Sequence, residues 1–412
     1  MDTPRPDEYA DKKAIQKRRV YYFGGFDPRG AGHYHKLFGT QAKKIQEATV
    51  DIRIGPRQRS GSLANIWQVS VKRSPSETKK SETVHTTHVF MGWSDIIRKH
   101  WIRSPLQIIC LFFSIYIQPQ SWVTLNRVRQ NFLPAFFSGI FPFVFLIFYL
   151  LIISLCFLSI DIFNKKKFSL YFYTEFSSAV IIVSSILLTY IFYLLARRLG
   201  VLWLVRIFRF NIFFSKENTK EIGDRQKAWI EKIIDQEKQD PVDEIIFSAH
   251  SVGTLLLVGV IDDLLADDRW TEINPKKQIQ ILTLGQCYPF ITLTPSAVKF
   301  RAALQRICQS ERILWLDVTA RIDPLCFFGM HPLHGSGVDT RNFSQPILYK
   351  ARFFKMYSPE QWKKIKTNKI LVHFLYLMAP EKLGGFNIYD FFYGPGHFEK
   401  KVTQLTHARN KD

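Results

Sequence analysis

Two long stretches, both free of charge and strongly apolar, stand out from a more mixed succession of apolar and polar residues. Phe132 to Ile160 and Phe176 to Ala196 contain no Asp, Glu, Lys or Arg. At a helical rise of about 1.5 Å per residue, each can cross about 30 Å of hydrocarbon. A buried helix of a soluble protein can be equally apolar. Two such runs in succession, parted only by Asp161 to Glu175, instead predict a transmembrane hairpin with spans at about 132–160 and 176–196. Pro105 to Val123 is also apolar but carries Gln107, Gln118, Pro119 and Gln120. It reads as an interfacial or packing helix leading to the first span, with a third span as the alternative. Val201 to Phe214 places Arg206 and Arg209 within an apolar run, the pattern of an interfacial helix whose arginines reach lipid headgroups.

Outside these segments the periodicity switches between that of strands and that of helices. Strands are predicted at Arg19–Phe23, Ile66–Val71, Val84–Phe90, Ile245–Phe247, Ile279–Leu284, Arg312–Val318 and Ile347–Phe353. Helices are predicted from His33 to Ala48, from Thr254, from Ser296 to Gln309 and from Ser358 to Lys366. The polar stretches Arg57–Ser62 and Lys72–Glu82 read as exposed loops. Alternation of this kind implies an α/β fold with a mostly parallel sheet. The simplest organisation is one domain built from residues 1–100 and 216–412, split by a membrane insertion at 101–215.

Charge adds an orientation. The net charge of +21 invites a nucleic-acid reading, but the basic residues are spread along the chain and form no zinc-finger, helix-turn-helix or ribonucleoprotein pattern. Attraction to anionic lipid headgroups accounts for it more simply. Arg127, Arg129, Arg197, Arg198, Arg206 and Arg209 flank the hairpin, against Lys165, Lys166 and Lys167 between its arms, which favours both flanks in the cytoplasm. The polar N-terminus has no apolar core of a cleavable signal. Five cysteines without paired spacing suggest neither a disulfide framework nor a metal site. No cofactor motif is present.

The chemistry concentrates in Pro241–Asp268, which reads as a buried strand, a sharp turn and a helix. Ala249-His250-Ser251-Val252-Gly253 forms the turn, with Ser251 at its tip as a candidate nucleophile. Small residues two before and two after the serine are needed where strand and helix backbones pass closely. The alternative is a serine that merely caps the helix. Gly24-Gly25-Phe26, directly after the first strand, has the form of an oxyanion loop, with Gly25 and Phe26 as candidates and the Val252 amide as second donor; a plain glycine turn is the alternative. A serine nucleophile needs a base and an acid to orient it. Asp323 lies just beyond a predicted strand, where an acid should leave the carboxyl end of the sheet, whereas Asp317 lies inside it. His373, in an apolar run, and His397, in a glycine-rich turn, both follow as candidate bases.

With AHSVGT, TLGQCYP, WLDVTARIDPL and HFLYL in that order, the second half resembles the serine lipase-like branch of the α/β-hydrolases. Together with YYFGGFDPRGAGHYH and WSDIIRKHW, the chain looks like a group of poorly characterised bacterial membrane proteins of that type. The resemblance implies a Ser251–Asp323–His373 triad with oxyanion donors near Gly25 and Val252. The expected function is a serine hydrolase of the inner membrane, multi-pass and facing the cytoplasm, which cleaves an ester or thioester of a lipid or acylated small molecule. The alternative is a non-catalytic membrane scaffold that keeps the fold and binds a protein partner.

Overall fold

The segment KRRVYYF forms the first strand, β1 (Lys17–Phe23), and from Arg18 onward every residue of it is buried. Burial on both faces is what a central strand of a parallel sheet requires. The two arginines do not break it, because each is neutralised inside: Arg18 by Glu244 at 2.6 Å and Arg19 by Glu237 at 2.8 Å. The computed structural model describes residues 14–45, 50–73, 82–166, 171–217, 219–274, 278–382 and 384–410, without the side chains of 82, 105–106, 160–166, 171–178, 181 and 408–410.

After β1 come helix α1 (Ala31–Ala42) and strands β2 (Val50–Ile54), β3 (Gln58–Ser60), β4 (Ala64–Arg73) and β5 (Glu82–Met91). The later strands are β6 (Glu244–His250), β7 (Ile279–Leu284), β8 (Ile313–Ala320) and β9 (Ile347–Ala351). Among the described residues they form one mixed sheet in the order β2-β4-β5-β1-β6-β7-β8-β9, with β3 beside β4. The run from β5 to β9 is parallel, and β2, β3 and β4 add antiparallel pairings at one edge. The architecture is therefore α/β with a mostly parallel mixed sheet. β1 pairs with β5 on one side and β6 on the other, so residues before and after the apolar segments share one sheet.

Two corrections to the sequence reading fall at that edge. Arg57–Ser62 is not all loop, since Gln58–Ser60 pairs with β4. The first helix begins at Ala31 and ends at Ala42, and the expected continuation over 46–48 lies outside the described residues. Most of the polar run Lys72–Glu82 also lies outside them, over 74–81.

The chain divides into two compact units, Met1–Trp101 with Phe213–Asp412, and Ile102–Ile212. After α2 (Ser94–His100) in the first unit, the second unit is helical. The apolar stretch Pro105–Val123 is not one helix but the start of two, α3 (Pro105–Tyr116) and α4 (Pro119–Asn131), bent by 66°. Pro119 causes the break: it cannot donate to the preceding turn and forces Gln118 into extended backbone, with ψ of 121°. The first charge-free run becomes α5 (Leu133–Lys166), whose stretch Leu133–Ser159 is long and apolar enough to cross a membrane. Phe137, Phe148 and Leu155 on it are exposed. The second run lies in α6 (Tyr171–Arg198), with the side chains of 176–178 and 181 outside the described residues. Val201–Ser215 forms α7, yet Val201, Val205 and Phe210 are wholly buried in protein and Arg206 donates to the carbonyl of Ile102. It therefore lacks the free apolar face expected of an interfacial helix.

Candidate active site

The carboxyl end of β6 positions the candidate nucleophile. β6 is buried throughout, stops at His250, and helix α9 (Gly253–Ala266) begins three residues later, after the long helix α8 (Lys220–Gln239) has preceded the strand. Ser251 stands between them with φ of 55°, a left-handed conformation costly to a residue with a Cβ. Three hydrogen bonds hold it. Its amide donates to the carbonyl of Leu284 at the end of β7 (2.9 Å), and its carbonyl accepts from the amide and hydroxyl of Thr254 at 3.0 and 2.6 Å. No side chain caps α9, and Val252 occupies the capping position, so Ser251 is not a helix cap.

The small residues of the elbow have separate reasons. A Cβ on Gly253 would lie 2.5 Å from the carbonyl oxygens of both Phe23 and Gly24, so the start of α9 touches the backbone leaving β1. Ala249 sits inside the strand, paired with Phe23 and Thr283, and is wholly buried. A methyl group fits there.

The loop after β1 passes directly over the serine. A Cβ on Gly25 would stand 3.1 Å from the Ser251 Cβ and 3.3 Å from Nδ1 of His250. Trp93 Nε1 donates to the Gly24 carbonyl (2.9 Å), and the Asp27 amide donates to that of Gly25 (2.8 Å). Phe26 is buried beside Trp93 and Trp101, with ring centres 6.1 and 5.8 Å away. The WSDIIRKHW segment thus anchors the glycine loop. The Val252 amide opens α9, where the helix end favours negative charge.

Asp323 follows β8 by three residues, and His373 ends a short helix, Lys369–His373. His373 Nδ1 and Asp323 Oδ2 are 2.9 Å apart, and both side chains are buried. A carboxylate can only accept, so this contact fixes the proton of His373 on Nδ1. Asp323 also accepts from the amide of Leu325 on Oδ1 and from the hydroxyl of Tyr376 on Oδ2, each at 3.0 Å. Burial pushes its pKa up, but the charge and hydrogen bond of His373, with those two donors, bring it below the usual carboxylate value. Burial, and then the charge of Asp323, raise Tyr376 well above the ordinary phenol range and keep it a donor.

Sequence reasoning missed Tyr376 and Gly285. Tyr376 also accepts from the Ala320 amide at 3.0 Å, tying the acid loop to the end of β8. Gly285 has φ of 56°, and a Cβ there would stand 2.8 Å from the Tyr376 ring and 3.2 Å from Asp323 Oδ2. The signals were in view: a glycine directly after an apolar strand, and the tyrosine of HFLYL.

His397 stands elsewhere. Its Nδ1 lies 3.9 Å from Oε1 of Glu244, the first residue of β6. Ser251 follows the last residue of that strand, about 20 Å along it at about 3.3 Å per residue. Asp317 is also apart from the pair. It is buried within β8, accepts from the Thr283 hydroxyl at 2.6 Å, and burial raises its pKa to about 7.

His250, beside the serine, is wholly buried, and its Nε2 lies 2.8 Å from the backbone carbonyl of His373. Burial first, then the charge of His373, push its pKa down to about 3, so it is neutral near pH 7. His373, Asp323 and the serine-bearing turn thus lie together at the carboxyl ends of β6, β7 and β8, where open α/β sheets place their ligands. No protein-family model, curated protein or solved structure matches this chain.

Proposed function

We propose that this protein is a serine hydrolase of α/β-hydrolase type that cleaves an ester or thioester of a lipid or acylated small molecule at a membrane surface. The observation that carries the reading is the buried 2.9 Å contact between His373 and Asp323, just past the carboxyl end of β8, with the strained Ser251 just past the carboxyl end of β6. Aspartate fixes the imidazole tautomer that leaves Nε2 as proton acceptor. His373 takes the Ser251 proton as Oγ attacks the acyl carbon. The resulting oxyanion lies toward the amides of Phe26 and Val252. The tetrahedral intermediate collapses as His373 returns the proton to the leaving alcohol or thiol. Water then attacks the acyl-enzyme as it gives its proton to His373, and His373 passes that proton to Ser251 Oγ as the second tetrahedral intermediate collapses to the carboxylic acid and free Ser251.

The membrane part of the proposal rests on α5, whose apolar stretch is long enough to span, and on the charge-free run within α6. We read them as a hairpin that holds the hydrolase at the cytoplasmic face of a bacterial inner membrane, where an amphiphilic substrate need not travel far into water. The test is fluorophosphonate labelling of the detergent-solubilised protein. Wild type should be labelled and Ser251→Ala should not. Equal labelling of both would remove Ser251 as nucleophile.

A further inference from the structure

We infer that His250 is a positioning residue that locks the base to the nucleophile turn, an inference that rests on the hydrolase reading. The backbone carbonyl of His373 can only accept, so the His250 nitrogen 2.8 Å from it must carry the proton on Nε2. That assignment leaves Nδ1 bare. Nδ1 is buried and takes no hydrogen bond from the described residues, which fits a nitrogen without a proton set against the glycine loop. His250 is therefore a one-proton strut. Its backbone continues into Ser251, its ring lies 4.7 Å from the ring of His373, and its single N–H holds the last carbonyl of the helix that carries the base. The helix Lys369–His373 is only five residues long, too short to fix the place of its end by itself. Removing the strut lets the imidazole drift from Ser251, and a displacement of about 1 Å can cost on the order of 100-fold in rate.

Glutamine places its side-chain N–H near the Nε2 position, whereas asparagine reaches only the Nδ1 position. In the full-length solubilised protein, we expect fluorophosphonate labelling of His250→Gln within about fivefold of wild type, and of His250→Asn about 10- to 100-fold slower. The melting temperatures of the two variants should agree. His250→Phe, which keeps ring volume without a donor, should label as slowly as His250→Asn; if it fails to fold, the Gln/Asn pair decides. Equal rates for Gln and Asn, whether fast or slow, would overturn the inference. Absence of Ser251-dependent labelling in wild type would instead overturn the hydrolase reading itself.

Discussion

Asp323 and Tyr376 share a hydrogen bond 3.0 Å long, and it ends on the same carboxylate oxygen that holds His373. The Asp323 carboxylate is thus held by both Tyr376 and His373. Asp323→Asn should lower the hydrolysis rate by about 10⁴, because an amide at that place supports the wrong imidazole tautomer. Tyr376→Phe removes one of several donors to a carboxylate that stays charged. It should cost about tenfold in rate, in line with one charged hydrogen bond. Steady-state kinetics with a p-nitrophenyl ester separate the two, and comparable losses would show that the tyrosine is part of the acid.

Placement of the two histidines gives a sharper contrast. His373→Ala should lower kcat by about 10³ to 10⁴ or more, with little further loss when combined with Ser251→Ala, since triad members act as a unit. His397→Ala should keep most activity, since that histidine stands beside Glu244 at the other end of β6. Loss of turnover in a folded His397→Ala protein, with His373→Ala still active, would pass the base to His397.

The elbow makes a prediction about stability alone. Ser251→Gly should be more stable than Ser251→Ala by about 1–2 kcal/mol, because only glycine takes φ of 55° without a Cβ penalty. Gly253→Ala should be destabilised by about 1–3 kcal/mol or more, as the added methyl meets two carbonyl oxygens at 2.5 Å. Thermal or chemical denaturation of the three variants checks the order.

Asp317 predicts a pH effect remote from the site chemistry. Its folded pKa of about 7 lies above the unfolded value of 3.8, so between these pH values the folded state holds a proton that the unfolded state has lost. Its contribution is full below pH 3.8 and declines as pH rises through 7. Asp317→Asn keeps an acceptor for Thr283 and removes the titration. The variant should match wild type near pH 4 and melt higher than wild type at pH 8. Parallel melting curves across that range would show that Asp317 does not titrate there.

Because β1 lies between β5 and β6, the segments on either side of the helical unit must occupy one side of any membrane that it spans. Cysteines introduced at Arg59 and Asn342, in a background without the native five, should be shielded from an impermeant reagent in intact cells. One at Lys166 should react. Labelling of Arg59→Cys without Asn342→Cys would be incompatible with the shared sheet.

The strongest periodicities of the chain were the ones that survived contact with the structure. Ile279–Leu284 forms a strand with the bounds that its apolar run suggests, and Ser251 lies between strand and helix, because buried parallel strands are nearly continuous in apolar residues. β3 could not be read this way. Gln58–Ser60 is polar, short and half open to water, and what makes it a strand is its pairing with β4 rather than any pattern of its own. α7 misled for the opposite reason: an apolar helix with spaced arginines looks the same whether lipid or protein covers it. Tyr376 stood in view as the tyrosine of HFLYL, but its place in an apolar run does not show that its hydroxyl reaches Asp323.

The seat of β1 also sets an order of events during synthesis. Arg18 meets its partner Glu244 only 226 positions later, so the strand that will be the middle of the sheet leaves the ribosome as an edge. Until the helices of the second unit have been made, that edge presents its unpaired amides and carbonyls to any other strand within reach. Growth at about 5–20 residues per second keeps it open for tens of seconds at the slower rate. A stop anywhere before β6 releases a chain with an unclosed sheet and no serine turn, and each such product is a candidate for degradation or aggregation.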